Sequence, residues 1–171
     1  SSVMKRVMDR PYRARVNGRL RSGMILSLLS VLTFAEPEGP HRFVFLGAGR
    51  FAQYVDLASL EPEGDGGRIR VFQVVEPDFR AAGTPYWGGW SWWRFDCGPR
   101  GHVDRLDFAG VREGGEEGPS TPDDAPSYEA VQGGDAFEIV VAACNPEDYD
   151  TDATTLEEAV RQGRANLDAG G

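Results

Sequence analysis

Two cysteines, two histidines and a glycine-spaced run are the residues of this 171-residue chain whose types and spacing bear on chemistry. Cys97 ends the run Trp90-Ser-Trp-Trp-Arg-Phe-Asp-Cys97, and Cys144 ends Phe137-Glu-Ile-Val-Val-Ala-Ala-Cys144. Redox-active pairs sit close together as C-x-x-C, which these do not. Two readings stay open, a pair of buried thiols in a cytosolic core and a disulfide. An export-like start to the chain favours the bridge from Cys97 to Cys144. Closing a loop of that length stabilises a fold by about 4 kcal/mol on the chain-entropy account. His41 and His102 belong to no zinc-type spacing, and no G-x-S-x-G elbow presents a nucleophile. No catalytic residue, cofactor or metal ligand is therefore assigned.

Three other constellations carry a functional reading beside a plainer one. Gly47-Ala-Gly49-Arg-Phe-Ala52 follows the apolar run Phe43 to Leu46 and fits a dinucleotide fingerprint. That chemistry needs a helix after the glycines to hold a pyrophosphate, and Pro62 and Gly64 leave barely ten residues for one. The plainer reading is a glycine turn between two strands. Asp148-Tyr-Asp-Thr-Asp152 begins like a calcium loop, but Ala153 and Ala159 stand where glycine and a bidentate glutamate belong. Acidic residues beside a helix N-terminus explain it as well. Tyr86, Trp87, Trp90 and Trp92 are the candidate partner-binding aromatics: an exposed patch for a protein or glycan, or core if a C-terminal helix covers them.

Charge narrows the partners. Residues 1–23 hold seven basic groups against Asp9 alone, whereas residues 36–171 hold eleven basic and twenty-six acidic side chains, a balance of −15. That body repels phosphate backbones and anionic headgroups, so neither nucleic acid nor a membrane surface is an expected partner. The basic start, followed by the uncharged stretch Met24 to Ala35, has the form of a secretory signal peptide. A buried N-terminal helix of a cytosolic protein is the rival reading. The apolar run is too short for a membrane span. The expected division is a basic leader and signal peptide over 1–35, a spacer over 36–42, one exported domain over 43–168 and a tail over 169–171.

Hydrophobic alternation sets the elements that must position these residues. Strands are expected at Phe43 to Leu46, Tyr54 to Leu60, Arg68 to Glu76, Trp90 to Cys97 and Val103 to Phe108, with a brief edge strand at Tyr128 to Val131. In the tryptophan strand, Trp93, Phe95 and Cys97 share one face and Trp92, Arg94 and Asp96 the other. Asp56 and Ser59 are expected to bond nearby backbone amides. Pro77 to Gly89 reads as a loop, and so does 109–127, with its glycines, prolines and carboxylates. Phe137 to Cys144 is apolar on both faces and reads as a central strand. Thr154 to Glu157 forms a capping box ahead of a C-terminal helix striped by Leu156, Ala159, Val160 and Leu167. The fold class is thus α+β: an antiparallel sheet of about six strands, one C-terminal helix and one disulfide.

Phe43 opening the first strand, Tyr54-Val-Asp56 with Ser59-Leu60, Arg94-Phe-Asp-Cys97, the Tyr128 to Val131 segment and the run closing at Cys144 together resemble the bacterial surface-adhesin protein E family. The resemblance covers roughly residues 43–144. It implies an exported, disulfide-bridged domain, and its adhesin members are outer-membrane lipoproteins that bind host matrix proteins. No cysteine follows the apolar run here, and Phe43 stands where tryptophan is usual. The expected function is non-catalytic recognition of a protein or glycan in the periplasm or at the cell surface. A cytosolic nucleotide-binding enzyme using the Gly47/Gly49 turn, or a structural component of an envelope complex, are the alternatives.

Overall fold

Alternating apolar residues build the centre of the molecule. The computed structural model describes residues 39–169, so the expected leader and signal peptide, residues 36–38 of the spacer and residues 170–171 lie outside the described residues. Nine strands follow in order: β1 (Phe43–Ala48), β2 (Ala52–Glu63), β3 (Gly66–Val74), β4 (Arg80–Ala81), β5 (Thr84–Asp96), β6 (His102–Arg105), β7 (Asp107–Arg112), β8 (Thr121–Pro122) and β9 (Tyr128–Glu129). Two helices close the chain, α1 (Asp135–Cys144) and α2 (Leu156–Ala169). Every strand pairing is antiparallel, and the main path runs β1-β2-β3-β5-β6-β9. β7 joins the other end of β5, and β4 and β8 are short additions. The expected α+β class, with about six strands in the principal sheet and a C-terminal helix, is the one observed.

The sheet is apolar on both faces. One face gathers Val55, Leu57, Ile69, Val71, Trp93 and Phe95, and Ile139, Val140 and Ala143 of α1 pack on it. The other gathers Ala52, Tyr54, Phe72, Val74 and Trp90 beneath Ala159 and Val160 of α2. The helices therefore cover opposite faces, making three layers. Gly163 brings α2 close: a Cβ there would lie 2.8 Å from Val74 Cγ2 and 3.2 Å from Ala52 Cβ. The helical cost of glycine, about 1 kcal/mol relative to alanine, is offset by that approach.

Several elements differ from the sequence reading. Phe137 to Cys144 is not a central strand but lies within α1. Ala136, Ile139, Val140 and Ala143 recur at the i, i+3, i+4, i+7 spacing of a helix, and an eight-residue apolar run fits either element until its period is resolved. The stretch from Pro77 to Gly89 is not all loop, because β5 already begins at Thr84. Likewise the expected loop over 109–127 starts inside β7, where Val111 is fully buried, and Val103 to Phe108 divides between β6 and β7. The capping box sits one residue later than expected. Thr155 Oγ1 accepts the Glu158 N–H at 3.2 Å, and the Glu158 carboxylate accepts the Thr154 N–H at 3.2 Å.

Cys97 and Cys144 are joined by a disulfide, their Cα atoms 5.8 Å apart and 47 positions apart in sequence. Alternation placed Cys97 on the Trp93/Phe95 face, which is the face α1 covers, so the bond ties the last residue of α1 to the end of β5. It links strand to helix rather than strand to strand. Replacing both cysteines by serine is expected to lower the unfolding free energy by about 4 kcal/mol. A urea titration reads this as an earlier midpoint; an unchanged midpoint would show that the bond does not constrain the unfolded chain.

Candidate functional site

The face that carries α1 is not covered along its whole length. Beyond the helix, β5 and β7 meet through a directly paired Gly89 and Gly110. Glycine in a strand interior marks a close approach, and here aromatic rings make it. A Cβ on Gly89 would collide with the Phe108 ring, and one on Gly110 would stand 3.0 Å from Tyr86 Cε1. Each ring thus lies across the glycine of the neighbouring strand. Phe79 meets Tyr86 edge-on with ring centroids 6.5 Å apart. With Phe51 and Val75 these rings line a groove of about 460 Å³, and Arg50 and Arg112 also contribute to its wall. Phe79 and Phe108 remain 44% and 40% exposed, unusual for phenylalanine unless something lies against them.

The four aromatics singled out in the sequence do not converge. Tyr86 lines the groove. Trp87 packs against the opposite core, beside Gly115. Trp90 is 3% exposed, stacked with Phe43 and tilted against Phe72 on the face that α2 covers, which is the core reading. Trp92 is half-buried under guanidinium groups, Arg68 at 5.0 Å and Arg70 at 5.8 Å from its ring centroid. Arg70 also lies 4.3 Å over Trp90 and pairs with both carboxylate oxygens of Glu117 at 2.8 and 2.9 Å. The groove residues Phe51, Val75, Phe79 and Phe108 were not identified from the sequence. The glycines at 88, 89 and 110, set within apolar or aromatic runs, were the available signal.

The histidines serve structure. Asp56 is buried, and its carboxylate accepts from His41 Nδ1 at 2.7 Å, from the Arg42 N–H at 2.9 Å and from the Ala58 N–H at 3.1 Å. An ionised carboxylate cannot donate, so His41 Nδ1 carries the proton. Burial pushes the Asp56 pKa up, but the bonds from His41 and the two amides outweigh it and hold the carboxyl below its ordinary value. Such an Asp–His pair suits general-base work only beside a nucleophile. Among the described residues no hydroxyl or thiol hydrogen-bonds the imidazole. Instead the ring packs on Phe43, centroids 4.7 Å apart, and the pair fixes the entry to β1. Ser59 Oγ donates to the Asp56 carbonyl at 2.7 Å and accepts the Arg70 N–H at 2.8 Å, bridging the register shift between β2 and β3. His102 Nδ1 lies 3.6 Å from Asp96 at the surface.

The other two constellations also resolve. After Gly47 and Gly49 the chain enters β2, a strand, so the helix that the fingerprint requires does not follow those glycines and the turn joins two strands. Asp152 accepts the Phe45 N–H at 2.7 Å. No group of three or more histidine, cysteine or carboxylate side chains suited to a metal ion occurs among the described residues, and no helix there is long and apolar enough to cross a membrane.

Comparison of the chain with family models, with curated proteins and with solved structures finds no match.

Two outcomes follow from this geometry. The folded pKa of Asp56 lies below its ordinary value of 3.8. Its contribution to stability is therefore complete above that value and is lost as pH falls through the folded one. Asp56→Asn is expected to cost about 2 kcal/mol at neutral pH and to flatten the acid limb of a stability-versus-pH curve; an unchanged limb would mean another carboxylate governs it. Gly89→Ala is expected to swing the Phe108 ring off β5 at a cost of about 1 kcal/mol. Loss of contacts between that ring and the residue 89 backbone in NMR spectra checks it.

Proposed function

We propose that this chain is a non-catalytic binding domain of the cell envelope, in the periplasm or at the cell surface, and that it grips its partner in the aromatic groove between β5 and β7. The observation that carries this reading is the pair of exposed phenylalanines, Phe79 and Phe108, set in a concave site on paired strands. A surface held by backbone pairing and a disulfide loses little entropy when a partner docks, which favours recognition by a preformed face. The disulfide suits an oxidising compartment. The resemblance to the surface-adhesin protein E family supports the same setting. A structural component of an envelope complex would use the same surface and differ only in what occupies it.

The test places photo-crosslinking residues, one at a time, at positions 79, 108 and 161 of the full chain in intact cells. Arg161, on α2, is 72% exposed on the opposite side of the sheet and serves as the control. Crosslinks are expected from 79 and 108 but not from 161. Phe79→Asp, probed from position 108, is expected to weaken capture about thirtyfold, on the order of 2 kcal/mol. Equal crosslinking at all three positions, or capture only from 161, would remove the groove as the binding face.

A further inference from the structure

Next to the aromatic groove, and sharing Arg50, Phe51 and Gln73 with it, is a polar alcove of about 150 Å³. Its floor is a cross-strand pair: Gln53 of β2 stands directly opposite Gln73 of β3. Gln53 is only 6% exposed, yet among the described residues neither glutamine side chain has a hydrogen-bond partner. Neither amide is sealed from solvent, so both are open to a ligand in the alcove, at positions where strand interiors ordinarily place valine or threonine. Arg50 of the β1–β2 turn and Asp135 at the start of α1 complete the wall. Gly134 gives that helix start no side-chain cap.

These groups select for one kind of ligand. Arg50 and Asp135 cancel in charge, so a bare anion meets the carboxylate and a bare cation meets the guanidinium. The net charge of −15 over residues 36–171 further opposes an anion. Each amide presents donors and an acceptor side by side, the complement of neighbouring hydroxyl groups, which both donate and accept. The adjoining rings of Phe51, Phe79 and Tyr86 offer apolar faces on which the C–H face of a ring can rest. We propose that the alcove binds one ring of a neutral glycan, its hydroxyls bonded by Gln53, Gln73, Arg50 and Asp135, with following sugars lying along the aromatic groove. This rests on the groove being the binding face.

The test uses isotope-labelled full chain and a panel of neutral hexasaccharides (maltohexaose, cellohexaose, mannohexaose and chitohexaose) at millimolar concentration, with a library of uncharged hydrophobic peptides as the comparison. At least one sugar is expected to shift the side-chain amide signals of Gln53 and Gln73. Gln73→Leu and the milder Asp135→Asn are each expected to weaken its binding about tenfold or more. Sugar binding that leaves those amide signals unmoved, or that both variants retain, would overturn the proposal. If only peptides perturb the groove, the glycan is wrong and the groove stands. If neither class perturbs groove or alcove, both readings fall.

Discussion

Strands β3 and β5 carry apolar side chains on both faces, and neither face can be left to water. That constraint places a helix on each side and explains the glycine at 163, where α2 must approach Val74 and Ala52 closely. It also leaves a remainder. A ten-residue helix is about 15 Å long, whereas the thirteen residues of β5 extend about 43 Å. α1 is held at one end of that strand by the disulfide, so it cannot reach the other. The groove is the uncovered length of a face that the fold otherwise buries.

Charge at the margins follows the same logic. Arg70 is buried on the α2 face, where a lone guanidinium would be costly, but it stacks on Trp90 and reaches both oxygens of Glu117. The pairing draws the 113–118 turn against the sheet, and with it Gly118 and Pro119, which line the groove from the loop side. An ion pair on one face thereby helps shape a cleft on the other. Asp56 plays a matching part at the entry to β1, collecting His41 and two amides into one fixed corner.

The parts of this structure legible in the sequence are those governed by short-range alternation. β2, β3 and the second half of β5 follow their period-two pattern, and the facing of Cys97 follows from it. Phe137 to Cys144 reads as a strand because every position but Glu138 is apolar, which leaves no period to tell strand from helix. The decisive stripe of Ala136, Ile139, Val140 and Ala143 is visible only when Ala136, before the run, is included. The groove was less legible still. Phe108, Gln53 and Gln73 are distant in sequence and share a face only through strand register, Phe79 joins them from the segment between β3 and β4, and what lets the Phe108 and Tyr86 rings lie across the sheet is the absence of side chains at Gly89 and Gly110. Tyr86 was identified for its company in sequence, whereas its actual neighbours are Phe79 and Gly110.

The outer border of β1 is closed by the far end of the chain. The Phe43 N–H donates to the Ala153 carbonyl, the Asp152 N–H to the Phe43 carbonyl, and the Phe45 N–H to the Asp152 carboxylate. At the opposite border β9 is two residues long and preceded by Pro126. Neither margin offers a long row of unpaired backbone groups for another chain to extend. Among the described residues, the two ends of the main strand path therefore offer little template for a strand from another molecule. The segment that seals β1 lies C-terminal to all nine described strands, so that border is closed only by chain made after them.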